Sequence, residues 1–247
     1  MMYGLIGYPL SHSFSQRYFT EKFAKEERDG YSYRNFPITD IDKLRGLLEQ
    51  HPCLCGFNVT IPYKEQIIPY IDEMDVTASD VRAVNTVRVV RCGDDLFLKG
   101  YNTDVYGFRR SLEEWFVALD VDLPQNALVL GSGGASKAVV CALSGLGIAA
   151  SVVSRREGKM YEQLNAKDFA ACHLIVNTTP LGMFPKVGEC PAIPYQYLTE
   201  RHYLYDLVYN PEETVFMLKG IERGALVHNG KRMLHLQADK AWEIWNL

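Results

Sequence analysis

The sequence predicts an α/β protein of two domains, the second of them doubly wound, and three observations carry that prediction. The chain has 247 residues, long for one compact domain and comfortable for two of about 120 residues each. Strand-like and helix-like segments alternate along nearly all of it. An apolar strand, Ala127–Leu130, runs directly into a glycine-rich turn and then an Ala/Val-rich helix.

In order, Tyr3–Gly7 reads as a strand, Phe14–Lys25 as a helix, Tyr31–Ile38 as a strand and Ile41–Glu49 as a helix. Cys53–Ile61 is a third strand, stopped by Pro62. Val84–Arg91 and Leu96–Tyr101 flank the turn Cys92-Gly93-Asp94-Asp95 and read as a hairpin. Val105, Phe108, Leu112, Trp115, Phe116 and Leu119 then recur at three- and four-residue spacing, a helix with Asp104 as its N-cap and Pro124 beyond its end. Past it, strands are expected at Ala127–Leu130, Ala150–Val153, Leu174–Asn177, Leu204–Asp206 and near Ala225–Val227. Helices are expected at Ser136–Leu146, Thr214–Gly220 and Lys231–Trp245. The expected domains are residues 1–104 with 231–247, a connecting helix over 105–123, and a Rossmann-type domain over 124–230.

Composition narrows the function classes. Apolar residues make up 47% and charged residues 23%, values of an ordinary globular chain that exclude disorder and fibrous repeats. Twenty-six basic and 30 acidic side chains give a net charge of −4 with no long basic run, so no nucleic-acid or membrane partner is expected. The six cysteines form no C-x-x-C pair; no metal is expected, and reduced thiols in a cytoplasmic protein are the simplest account. The first residues lack a basic n-region and a long apolar run, so no signal peptide is expected. Ala127–Val153 is interrupted by Lys137 and five glycines, which makes a poor membrane span.

The glycine-rich turn is Gly131-Ser132-Gly133-Gly134-Ala135. Gly131 permits a tight strand-to-helix turn, and Gly133 lets backbone approach a pyrophosphate at the helix start. Where an NAD site carries an acid after the second strand, this chain has Ser154-Arg155-Arg156. Guanidinium groups pair with a 2′-phosphate that a carboxylate would repel, so NADP is predicted over NAD. Ser13-x-x-Gln16 is a capping box, or Ser13 and Ser15 offer two hydroxyls to a carboxylate ligand at a helix start. Asn58 and Thr60 share one strand face ahead of Lys64, and two further polar segments, Asn85-Thr86 and Asn102-Thr103-Asp104, interrupt apolar surroundings.

Six motifs carry a resemblance. G-x-x-x-x-H-S-x-S (Gly7–Ser15), N-V-T-x-P-x-K (Asn58–Lys64), A-V-N-T (Ala83–Thr86), N-T-D (Asn102–Asp104), G-x-G-G-A-S (Gly131–Ser136) and the late Gln237-Ala238 stand in the order found in shikimate dehydrogenases. The chain from residue 4 to about 240 resembles that family. The resemblance implies NADPH-dependent reduction of 3-dehydroshikimate to shikimate, with the active site in the cleft between two domains. It implies that Ser13 and Ser15 bind the substrate carboxylate, and that Thr60, Lys64, Asn85 and Asp104 meet the ring hydroxyls. Gln237 and Tyr209 are implied as further substrate contacts, and Leu207, Gly230 and Thr178 as neighbours of the nicotinamide end. Arg155 corresponds to the family's 2′-phosphate arginine, with Arg156 and Lys159 beside it. Lys64 and Asp104 are the implied catalytic pair, Lys64 either as general acid/base or as an electrostatic clamp on the carbonyl oxygen. Tyr8, Ser11 and Phe57 depart from the family's usual residues, and the chain is slightly short for it, so trimmed loops are expected. A quinate or amino-shikimate dehydrogenase, or a non-catalytic ligand sensor on the same fold, are the alternatives. A monomer or homodimer is expected.

Overall fold

The computed structural model describes residues 1–10, 14–93, 95–155 and 158–247; Ser13, Asp94 and Arg156 from the expectations above lie outside the described residues. The chain forms two compact units, residues 1–103 with 238–247, and residues 104–237.

The first unit holds strands β1 (Met2–Gly7), β2 (Ser32–Pro37), β3 (Leu54–Val59), β4 (Glu73–Met74), β5 (Thr86–Cys92) and β6 (Asp95–Tyr101) in the order β2-β1-β3-β5-β6-β4. β2, β1 and β3 are parallel, and the expected hairpin of β5 and β6 adds antiparallel to β3. Helices α1 (Phe14–Lys25), α2 (Leu44–Gln50), α3 (Tyr63–Gln66) and α4 (Val76–Val81) lie between the strands in sequence. Side chains alternate along β1. Ile6 joins Phe36, Leu44, Phe57 and Val59 on one face, and Tyr3 and Leu5 join Phe19, Phe23, Trp242 and Trp245 on the other.

One irregularity in this sheet decides where a functional candidate points. Pairing of β1 with β3 steps from Met2↔Leu54 to Tyr3↔Gly56, leaving Cys55 unopposed. An extra residue of this kind shifts the phase of its strand. Leu54, Phe57 and Val59 therefore share one face. Gly56 takes the other, where Trp245 lies, and Asn58 takes it too, bonding to Tyr33.

The second unit is a fully parallel sheet of β7 (Asn126–Leu130), β8 (Ala149–Val153), β9 (Leu174–Asn177), β10 (Tyr203–Asp206) and β11 (Leu226–Asn229), ordered β11-β10-β9-β7-β8. Ala127 and Val129 pack with Phe108 and Leu112 of α5 (Thr103–Leu119) and Val139 and Leu143 of α6 (Gly134–Gly145). Leu128 and Leu130 pack on the opposite side with Phe169 of α7 (Ala166–Ala171) and Phe216 of α8 (Val215–Ile221). The last helix, α9, spans Lys231–Trp245. β8 follows on one side of β7, whereas β9, β10 and β11 continue on the other, so winding reverses beside β7. In open α/β sheets that reversal opens a ligand crevice beyond the strands' carboxyl ends.

Helix α5 corrects one expectation. It begins at Thr103, so Asp104 stands in its first turn and is not its N-cap. The Thr103 N–H is instead met by the side chain of Asn85, Oδ1 at 2.7 Å. No helix among the described residues is long and apolar enough to cross a membrane.

Candidate active site

In the first unit the site candidates gather where β3 ends. Thr60 donates its N–H to the Ile6 carbonyl at 2.9 Å, and Tyr63 N donates back to Thr60 O. The Tyr63 hydroxyl donates to Ile38 O at 2.8 Å inside the core, which anchors the single turn of α3. Lys64 follows, half-buried, and its own carbonyl accepts from Val84 N at 2.7 Å. That backbone tie fastens Lys64 to the segment carrying Asn85. That asparagine is buried and uses both ends of its amide: Nδ2 donates to Thr103 Oγ1 at 3.0 Å while Oδ1 receives Thr103 N. Asn102 Nδ2 donates to Ala83 O at 2.9 Å. Thr60, Lys64, Asn85 and Thr103 are thereby brought together, and Asp104, buried, is the next residue in the chain. A helix's first turn favours a carboxylate. Ser15 lies half-buried in the first turn of α1. Gln16 Oε1 accepts from Asn35 Nδ2 at 2.9 Å, and the other half of its expected capping box, Ser13, lies outside the described residues.

In the second unit the glycine-rich turn behaves differently at its two key positions. Gly131 has φ +117°, and a Cβ there would fall 2.6 Å from Thr178 Oγ1; only glycine fits. Its N–H donates to Val153 O at 2.8 Å, and Thr178 Oγ1 donates to Leu130 O at 2.7 Å. Gly133 is exposed at the N-terminal cap of α6, and a Cβ there would meet nothing within 4 Å. Among the described residues nothing asks for glycine at 133, whereas a ligand lying on that helix start would. Ser132, Gly134 and Ala135 are half-buried beside it, Ser154 is buried and Arg155 is exposed just past β8. The Lys159 ammonium is taken up by Asp168 at 2.5 Å, which leaves Arg155 as the described cation suited to a 2′-phosphate. At the far end, Gly230 N donates to Val208 O at 3.2 Å, and a Cβ on Gly230 would lie 2.0 Å from Leu207 O. The structure brings Leu207 and Gly230 into contact. Tyr209 is half-buried just past β10, and Gln237 is half-buried on α9, its Cβ 3.1 Å from where a side chain on Gly107 would begin. Among the described residues no group of three or more His, Cys, Asp or Glu could hold a metal ion.

Sequence reasoning assigned no role to Asp206, the last residue of an expected strand and the neighbour of Leu207. Its carboxylate is fully buried at the end of β10. Oδ1 accepts Asn177 Nδ2 at 2.9 Å and Val208 N at 3.0 Å, and Oδ2 accepts the Thr214 hydroxyl at 2.6 Å. Burial nevertheless pushes the carboxyl up to about 6, against the three hydrogen bonds that lower it. The folded value lies above the unfolded one, so this group's stabilising contribution is complete below about pH 4 and is lost as pH rises through 6. Asp206→Asn keeps the acceptor at Oδ1, and Thr214 can turn to accept from the new amide. The variant is expected to flatten the fall in stability between pH 4 and 6, measured by urea unfolding across that range. An unchanged slope would remove Asp206 as its source.

Comparison with known proteins places these features in one family. Residues 5–87 match the family described as shikimate dehydrogenase substrate binding domain. The shikimate dehydrogenase (NADP(+)) of Desulforamulus reducens is 32% identical over 265 residues, covering 98% of this chain and 88% of that protein. A crystal structure of a shikimate dehydrogenase in complex with NADP+ matches with a TM-score of 0.84 at 31% identity, over 99% of this chain and 89% of that one. The Thermus thermophilus enzyme in complex with NADP(H) and shikimate matches with a TM-score of 0.81 at 29% identity, over 99% and 93%. The likeness runs through the glycine-rich second unit as well as the matched first one, and on that extent the chain belongs to the shikimate dehydrogenase family.

Proposed function

We propose that this protein catalyses the reversible, NADP-dependent interconversion of 3-dehydroshikimate and shikimate. The observation that carries the reading is Gly133: glycine is kept at an exposed helix start where no packing requires it, one strand before an exposed Arg155. Bound NADPH supplies the hydride. Ser13 and Ser15 donate to the substrate carboxylate, while Thr60, Asn85, Tyr209 and Gln237 orient the ring through its hydroxyls. The Lys64 ammonium faces the carbonyl oxygen, where negative charge grows as the ring carbon is reduced, and with Asp104 it handles the arriving proton. Ser132, Gly134 and Ala135 hold the pyrophosphate with Gly133, while Ser154, Arg155 and Arg156 hold the 2′-phosphate. Thr178, Leu207 and Gly230 border the nicotinamide end. The protein works in the cytoplasm as a monomer or homodimer and takes no nucleic acid, in keeping with its net charge of −4.

The test is ultraviolet monitoring of NADP reduction with shikimate, repeated with quinate and with NAD. Turnover is expected with shikimate and NADP, with NAD the poorer cofactor. Equal efficiency with both cofactors would sink the assignment of Arg155, and quinate as the better substrate would sink that of shikimate. Gly133→Ala should raise KM for NADP about tenfold or more, the loss expected when backbone donors are pushed off a phosphate. Its melting temperature should stay put, because the new methyl group meets no atom of the described residues within 4 Å.

A further inference from the structure

Thr178, Leu207 and Gly230, the three residues assigned to the nicotinamide end, are each the first residue past a strand. β9 ends at Asn177, β10 at Asp206 and β11 at Asn229. Asp206 stands between the other two strand ends, in register with Asn177 on one side and Asn229 on the other. Its side chain bonds across the end of the sheet. Oδ1 accepts Asn177 Nδ2 at 2.9 Å and Val208 N at 3.0 Å, and Oδ2 accepts the Thr214 hydroxyl at 2.6 Å. Asn177 Oδ1 accepts Thr179 N at 3.0 Å and Thr179 Oγ1 at 2.7 Å. Asn177 O takes Leu207 N at 2.9 Å, and Val208 O takes Gly230 N at 3.2 Å. Asn177, Asp206 and Thr214 are fully buried.

Backbone N–H groups can only donate, and that fixes the direction of these bonds. Thr179 N holds Asn177 Oδ1, so the amide turns its nitrogen toward Asp206. Asp206 Oδ1 then meets two donors, Asn177 Nδ2 and Val208 N, and serves both as an acceptor. One oxygen atom thus sets the segment after β9 against the segment after β10, and Val208 passes the tie on to Gly230. The bonded side-chain atoms are buried and paired with one another. A cofactor arriving at Thr178, Leu207 and Gly230 therefore displaces none of these bonds, which hold in the loaded enzyme as in the free one.

We propose that Asp206 is a positioning residue that aligns Thr178, Leu207 and Gly230 to seat the nicotinamide ring; this rests on the reading of the protein as an NADP-dependent dehydrogenase with those three residues at the ring. Asp206→Ala is expected to lower kcat with shikimate and NADP about 10- to 100-fold, the cost of a small misplacement of the reacting atoms. The Kd for 2′,5′-ADP, which carries the 2′-phosphate and lacks the nicotinamide, should be unchanged. Counting kcat per 2′,5′-ADP site titrated removes unfolded molecules from the comparison. Asp206→Asn keeps an acceptor at Oδ1 and should restore kcat to the parent value. Should the alanine variant fail to fold, Asn177→Ala, which leaves Asp206 its Val208 and Thr214 partners, is expected to show the same fall in kcat. Parental kcat in whichever alanine variant is read would overturn the proposal. So would an asparagine variant as slow as the alanine one, or weakened 2′,5′-ADP binding. If the parent protein itself fails to reduce NADP with shikimate, the functional reading fails, and the proposal goes with it.

Discussion

Lys64→Ala is expected to lower kcat by about 10²–10⁴-fold while leaving KM for shikimate nearly unchanged. The asymmetry follows from where the charge is. The ground-state carbonyl is neutral, and an ammonium beside it gains little. The oxygen becomes anionic only as hydride arrives, so the interaction is realised in the transition state. The variant should fold normally, because the bonds that place residue 64 run through its own carbonyl to Val84 N and through the Tyr63 hydroxyl to Ile38 O. Neither depends on the lysine side chain. Steady-state kinetics with shikimate and NADP, beside a thermal melt, would check both parts. A variant keeping near-normal kcat would take Lys64 out of the mechanism.

Much of this arrangement was legible in the sequence, and the gaps share a cause. α1 and α9 have the expected bounds, Phe14–Lys25 and Lys231–Trp245, because long apolar stripes announce themselves locally. The two-residue strand β4, and helices α3, α4 and α7, were not expected. Segments of four to six residues do not form helix from propensity alone, and these are held by particular bonds, as Tyr63 to Ile38 holds α3. The start of α5 was misplaced for the same reason. Its cap comes from Asn85, 18 residues away, where a reading of neighbours sees only Asp104. Asn58 stood out as a polar residue in an apolar strand, but the bulge at Cys55 that aims it at Tyr33 left no mark in the pattern. Tyr33 gave no signal, since its partner lies 25 residues on. The cofactor turn was easier: glycine chemistry is local, and Gly131 and Gly133 follow directly from strand, turn and helix.

Trp245→Ala should be the most destabilising of these single changes, by about 3–5 kcal/mol. The side chain is buried, stacks on Tyr3 with ring centroids 4.8 Å apart, and donates Nε1 to Val87 O at 3.0 Å. Truncation removes the ring and leaves the Val87 carbonyl without that donor. For a chain of this size each kcal/mol is worth about 2–4 °C, so a melting temperature lower by about 10 °C is expected. The opposing surface supplies an internal check. A Cβ on Gly56 would lie 2.4 Å from the indole ring, so Gly56→Ala should destabilise the parent protein by overpacking. Once the indole is gone the methyl group has room. Gly56→Ala should then be nearly neutral, or restore part of the stability, in the Trp245→Ala background, and the double-mutant cycle measures that coupling. Additive losses would mean that Trp245 does not occupy the space glycine leaves at position 56.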